Sequence, residues 1–142
     1  MTVEELLQLP TIKGLKLISG NLGVHREIST VTVVDTPDGF QWLKGNEVVI
    51  TTTYALEKTP NAFLDFISKL LSRNISALIV KSDRYIKVIP ENAKKLCDEK
   101  ALPLIYCPAI YAFADIINPT LSGIISKQAE QLKESSKIHE SF

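Results

Sequence analysis

Three apolar segments in this 142-residue chain are spaced in a way that suits one architecture. Glu47-Val48-Val49-Ile50-Thr51-Thr52, Ala77-Leu78-Ile79-Val80 and Pro103-Leu104-Ile105-Tyr106 are short and β-branched or aliphatic, as strands covered on both faces are. Between the first two, Phe63, Leu64, Phe66, Ile67, Leu70 and Leu71 fall at i, i+3, i+4, i+7 spacing, with Pro60 near the first turn of the helix they predict. Between the second and third, Ala93, Leu96 and Cys97 mark another helix over residues 90–100. Strand, helix, strand, helix, strand predicts βαβ crossovers and a parallel sheet.

The flanks extend this plan. Thr2-x-x-Glu5 is a capping-box pattern opening a helix that Pro10 ends. Residues 12–18 read as a strand or extended segment and Val31-Thr32-Val33-Val34 as a strand, and Gly20 and Gly23 permit a tight turn between them. Phe40, Trp42 and Leu43 form at most one helical turn, and Phe40 and Trp42 are expected to cover the sheet edge. The expectation is therefore an α/β fold: a mainly parallel sheet of about four to five strands with helices packed on it, plus a long C-terminal helix. Residues 1–113 form the body, and 114–142 the helix. Past Ser126 that helix turns polar, while Leu121, Ile125, Gln128 and Leu132 fall at alternating four- and three-residue steps. The pattern suits either a dimerising connector to a further region or a terminal helix packed on its own domain.

Charge and cysteine content narrow the function classes. Sixteen basic residues balance sixteen acidic ones, a neutral chain without the basic excess that nucleic-acid binders need. The two cysteines, Cys97 and Cys107, form no CxxC pair, and the two histidines, His25 and His139, stand far apart, so zinc-site spacing is absent and no cofactor is expected. No apolar run approaches the roughly 18 residues that cross a bilayer. A cytoplasmic protein with reduced thiols is the expectation, its cysteines serving packing.

In open parallel sheets, ligands bind where strand carboxyl ends meet the loops. Those ends carry Asp35-Thr36, Thr51-Thr52-Thr53, Lys81-Ser82-Asp83-Arg84 and Cys107-Pro108. Asp, Thr and Lys on successive ends invite comparison with phosphoacceptor receiver domains. Asp35 and Thr51 stand too close in sequence for a full crossover helix between them, and the earlier acidic pair that would hold magnesium is missing. No nucleophile elbow, phosphate loop or dinucleotide fingerprint occurs. Glu47 is either a catalytic carboxylate or a cap for the Lys44-Gly45-Asn46 turn. Thr51 to Thr53 offer hydroxyls to a ligand, and Lys81 with Arg84 forms either an anion clamp or a solvated loop. Tyr54, Tyr85, Tyr106 and Tyr111 could wall a pocket.

An ordered series of short motifs then becomes informative. Leu6-Leu7-x-Leu9-Pro10-x-Ile12-x-Gly14, Gly20-x-x-Gly23-x-x-Arg26-x-Ile28, Asp35-x-Pro37-Asp38 and Trp42-Leu43-x-Gly45-x-Glu47-Val48-Val49-Ile50-Thr51-Thr52 run through the first half. Together they resemble the N-terminal domain of PucR-type transcriptional regulators, the purine catabolism regulator family, over nearly all of residues 1–125. Thr53 departs from the glycine that this family usually carries after the paired threonines.

The resemblance implies a non-enzymatic regulatory input domain for ligand sensing or assembly. DNA would be contacted only through a C-terminal helix-turn-helix outside these residues. Gly20, Gly23 and Gly45 are explained by turns, leaving Arg26, Glu47, Thr51 and Thr52 as the matched polar positions that could face a site. Lys81 joins them from the strand-end argument. Arg26 has the alternative of an ion pair with Glu27, Asp35 or another carboxylate. The implied partners are a small polar metabolite and a second copy of the chain, with no membrane contact. Two other readings compete: a small α/β enzyme using Glu47, Lys81 or Cys107, and a purely structural dimerisation module.

Overall fold

Local signals at the N-terminus decide the first element. A computed structural model describes residues 1–52, 61–81 and 89–140. Thr2 Oγ1 accepts from the Glu5 N–H at 3.2 Å, and Glu5 Oε1 accepts from the Thr2 N–H at 3.0 Å, so the capping box forms and opens α1 (Val3–Leu7). The strand expected over residues 12–18 is shorter. Pro10 starts a 3-10 turn, Pro10–Ile12, which sends Ile12 into the core and delays β1 to Lys16–Ser19.

The remaining strands are β2 (Thr30–Val33), β3 (Glu47–Thr51), β4 (Ala77–Lys81) and β5 (Leu104–Cys107). Their helices are α2 (Ala62–Ser72), α3 (Glu91–Glu99) and α4 (Phe113–Glu140). The sheet order is β1-β5-β4-β3-β2. β2 to β5 run parallel, and β1 lies antiparallel on β5. The link from β2 to β3 is a 3-10 turn, Gly39–Trp42, in keeping with the short spacing between those strands.

Strand alternation sorts the core into two layers. Val49, Leu78, Val80 and Leu104 pack with Phe66, Ile67, Leu70, Ala93 and Cys97 of α2 and α3. Val48, Ile50, Ala77, Ile79, Ile105 and Cys107 face Val3, Leu6 and Ile12 at the N-terminus and Ile116 and Ile124 of α4. Every residue of β3 is buried, as its unbroken apolar run requires. The first half of α4 is thus part of the body. Beyond it Ile125 is 63 % exposed and Leu132 71 %. Phe40 is half-buried beneath Lys69 of α2 and Arg73 just after it. Trp42, expected to cover the edge beside it, instead stands 82 % exposed.

Gly20 and Gly23 serve different purposes. Gly20 adopts φ 77°, which glycine accommodates without strain, and its N–H donates to Asp98 Oδ1 at 2.7 Å. Gly23 has ordinary φ, but a Cβ there would strike the Ala101 carbonyl. Both let the loop after β1 lie against the chain entering β5.

Candidate functional site

The carboxyl ends of the four parallel strands lie side by side, which sets Asp35, Thr51, Thr52 and Lys81 in one row along the sheet end, the shelf. At the end of β2, Asp35 Oδ1 accepts from Thr51 Oγ1 at 3.2 Å and from the Thr52 N–H at 2.7 Å. Parallel pairing of β2 with β3 in regular register brings the three groups together. One strand further, Lys81 Nζ donates to the Ala109 carbonyl at 3.0 Å and lies 5.1 Å from the centroid of the Phe113 ring. Lys81 pairs in register with Cys107, which is buried and whose Sγ contacts Pro108 O at 3.4 Å.

Asp35 and Lys81 stand two strands apart, about 10 Å at the usual interstrand spacing. A carboxylate and an ammonium so separated, with a hydroxyl and amides between them, suit the two ends of a small polar molecule. That distance exceeds the reach of direct proton transfer between them.

The sequence-derived candidates divide between the two ends of the sheet. Thr51, Thr52 and Lys81 meet on this shelf. Arg26 and Glu47 stand at the opposite end, about 13 Å away along β3. Glu47 is buried, and its two oxygens accept from Lys44 N–H at 2.6 Å and Gly45 N–H at 2.8 Å, capping the turn in which Gly45 and Asn46 take positive φ. Among the described residues, Arg26 bonds carbonyls rather than a carboxylate. Its Nε, Nη2 and Nη1 donate to Ala101 O at 2.9 Å, Lys100 O at 3.0 Å and Ile75 O at 3.3 Å. It joins the loop after β1 to the end of α3 and the approach to β4. Among the enzyme candidates, Lys81 and Cys107 are neighbours, whereas Glu47 is remote from both.

Asp35, read from the sequence as a strand-end residue but not among the site candidates, completes the shelf. Its signal was its place directly after a β-branched strand, level with Thr51 once the strands pair. Tyr106 is half-buried on β5, and the Tyr111 hydroxyl accepts from Gly14 N–H at 3.2 Å, fastening the start of α4 to the N-terminal turns. Thr53, Tyr54, Pro60, Ser82, Asp83, Arg84 and Tyr85 lie outside the described residues.

Cys97 is fully buried, and burial pushes its thiol up to about 12, with the Asp98 charge adding to the shift. It stays protonated and packs as a hydrophobe. Among the described residues, no group of three or more His, Cys, Asp or Glu is placed to hold a metal, and no helix is long and apolar enough to cross a membrane.

Comparison with known proteins agrees with this framework. The chain is similar to the Purine catabolism regulatory protein of Bacillus subtilis (strain 168), with 31 % identity over all 142 residues. The match takes in the whole of this chain and 27 % of that protein, so the chain spans about a quarter of its relative's length. The model of the purine catabolism regulatory protein-like family matches residues 5–124, from α1 through the buried half of α4. Because the family model matches most of the chain, this chain belongs to the purine catabolism regulatory protein-like family.

Proposed function

We propose that the chain is a regulatory input domain of a transcription regulator. In this reading it takes a small polar metabolite at the Asp35–Thr51–Thr52–Lys81 shelf, performs no catalysis, and passes the occupied state into α4. One observation carries the reading: Lys81, at a strand end, is bonded to Ala109 and stacked on Phe113, the first residue of α4. A ligand that drew the ammonium toward itself would release the start of a helix whose far end leaves the body. The name of the Bacillus subtilis relative supports the regulatory role. The neutral charge of the chain supports leaving DNA contact to a region outside these residues. The protein acts in the cytoplasm and as a homodimer, and Arg26 and Glu47 brace the loops behind the shelf.

Thermal-shift measurements with purine-degradation intermediates and other small polar metabolites test the reading. A ligand at a hundred times its Kd adds roughly 2.7 kcal/mol to apparent stability. Stabilisation is expected with the wild-type chain and should vanish in Asp35→Asn and Lys81→Met. If no metabolite shifts melting, the small-molecule part fails and the domain acts by binding a protein surface.

A further inference from the structure

The two edges of the sheet are built differently. β1 carries an exposed lysine, Lys16, and an irregular register between Leu17 and Ser19, features that discourage strand addition. β2 has neither protection. Thr30-Val31-Thr32-Val33 is β-branched throughout, holds no proline or charge, and pairs with β3 in unbroken register. The Val34 N–H donates to Ile50 O at 2.9 Å, so strand alternation turns the backbone groups of Val31 and Val33 away from β3, to the side where no strand lies among the described residues. Beside β2 runs a groove of about 490 Å³, floored by Thr30, Thr32 and Val34 and bordered by Trp42 and Lys44. Trp42 is 82 % exposed there and Val33 38 %.

The charges around this groove specify a partner. The turn Gly39–Trp42 shares this groove with Thr30, Thr32 and Val34, with Asp38 before it and Lys44 shortly after it in sequence. Lys44 belongs to the end where Thr30 meets Glu47, and Asp38 follows the opposite end. We propose that β2 pairs antiparallel with β2 of a second copy of this chain, joining two five-stranded sheets into one. The twofold axis sets Lys44 of each copy against Asp38 of the other, whereas a parallel pairing would set like charges together. Val31 and Val33 exchange backbone hydrogen bonds across the interface, and Thr32 faces its own counterpart as a non-hydrogen-bonded pair. The two Trp42 rings lose water along the rim. The inference rests on the homodimer proposed above, to which it gives an interface, and is independent of what the strand-end shelf binds.

Sedimentation and crosslinking of the full chain test it. The wild type should sediment as a dimer, and Val33→Lys as a monomer with unchanged circular dichroism and a melting temperature that no longer depends on protein concentration. Thr32→Cys should form an intermolecular disulfide on the order of tenfold faster than a control Ser68→Cys on α2, because facing strand positions meet disulfide geometry. The paired variant Ile125→Ser with Leu132→Ser should remain dimeric. A monomeric wild type, or a dimer that survives Val33→Lys, overturns the proposal. If Val33→Lys fails to fold, equal crosslinking of Thr32→Cys and Ser68→Cys overturns it instead.

Discussion

Lys81 Nζ holds the Ala109 carbonyl at 3.0 Å while standing 5.1 Å from the centroid of the Phe113 ring. One side chain thereby joins the end of β4 to the loop after β5 and to the first turn of α4. Lys81→Met, which keeps the aliphatic stem and removes the charge, should destabilise the protein by about 1–2 kcal/mol. Native-state hydrogen exchange should quicken in the first turn of α4 more than in β3. Unchanged exchange there would show that the contact couples nothing.

Arg26 spreads three donors over three backbone carbonyls, an arrangement that suits a planar guanidinium and no other side chain. Arg26→Ala should cost about 2–3 kcal/mol in urea unfolding. Arg26→Lys should recover less than half of that loss, because one ammonium cannot span the set.

Glu5 ties stability to pH through a lowered carboxyl. The Thr2 N–H holds its carboxyl below the ordinary 4.5, and Lys127, at 3.6 Å, adds to this. A lowered folded-state value means that the unfolded chain binds the proton more readily. Stability from Glu5 is present above pH 4.5 and is lost as pH falls through the folded value. Glu5→Gln should flatten the acid limb of stability against pH in that window. The effect is small, because the side chain is 39 % exposed.

Leu78 is fully buried at the centre of β4, between β3 and β5 and facing α2 and α3. Leu78→Ala should cost about 2–5 kcal/mol, the usual range when a core leucine leaves a cavity. Chemical denaturation should register this as a lower midpoint with an unchanged slope.

Much of the fold was legible because period and punctuation are local properties. The apolar runs at Val48–Ile50 and Ala77–Val80 could be satisfied only between two covering layers, and the helical stripe of Phe66, Ile67 and Leu70 supplied one of them. The capping box at Thr2 and Glu5 needed no tertiary information. The strand expected over residues 12–18 shortened because Pro10 and the burial of Ile12 outweighed local β propensity.

Residue types alone pointed to a neutral α/β domain with polar strand ends and a helix that turns hydrophilic. They could not sort Arg26, Glu47, Thr51, Thr52 and Lys81 into those on the shelf and those bracing the opposite end. Only strand order and register did that, because hydrogen-bond partners such as Ala101 for Arg26 and Asp35 for Thr51 lie far away in sequence and meet through the sheet. The exposure of Trp42 was likewise a tertiary outcome. A tryptophan becomes buried only where neighbouring elements supply a surface, and among the described residues β2 is the last strand on that side of the sheet.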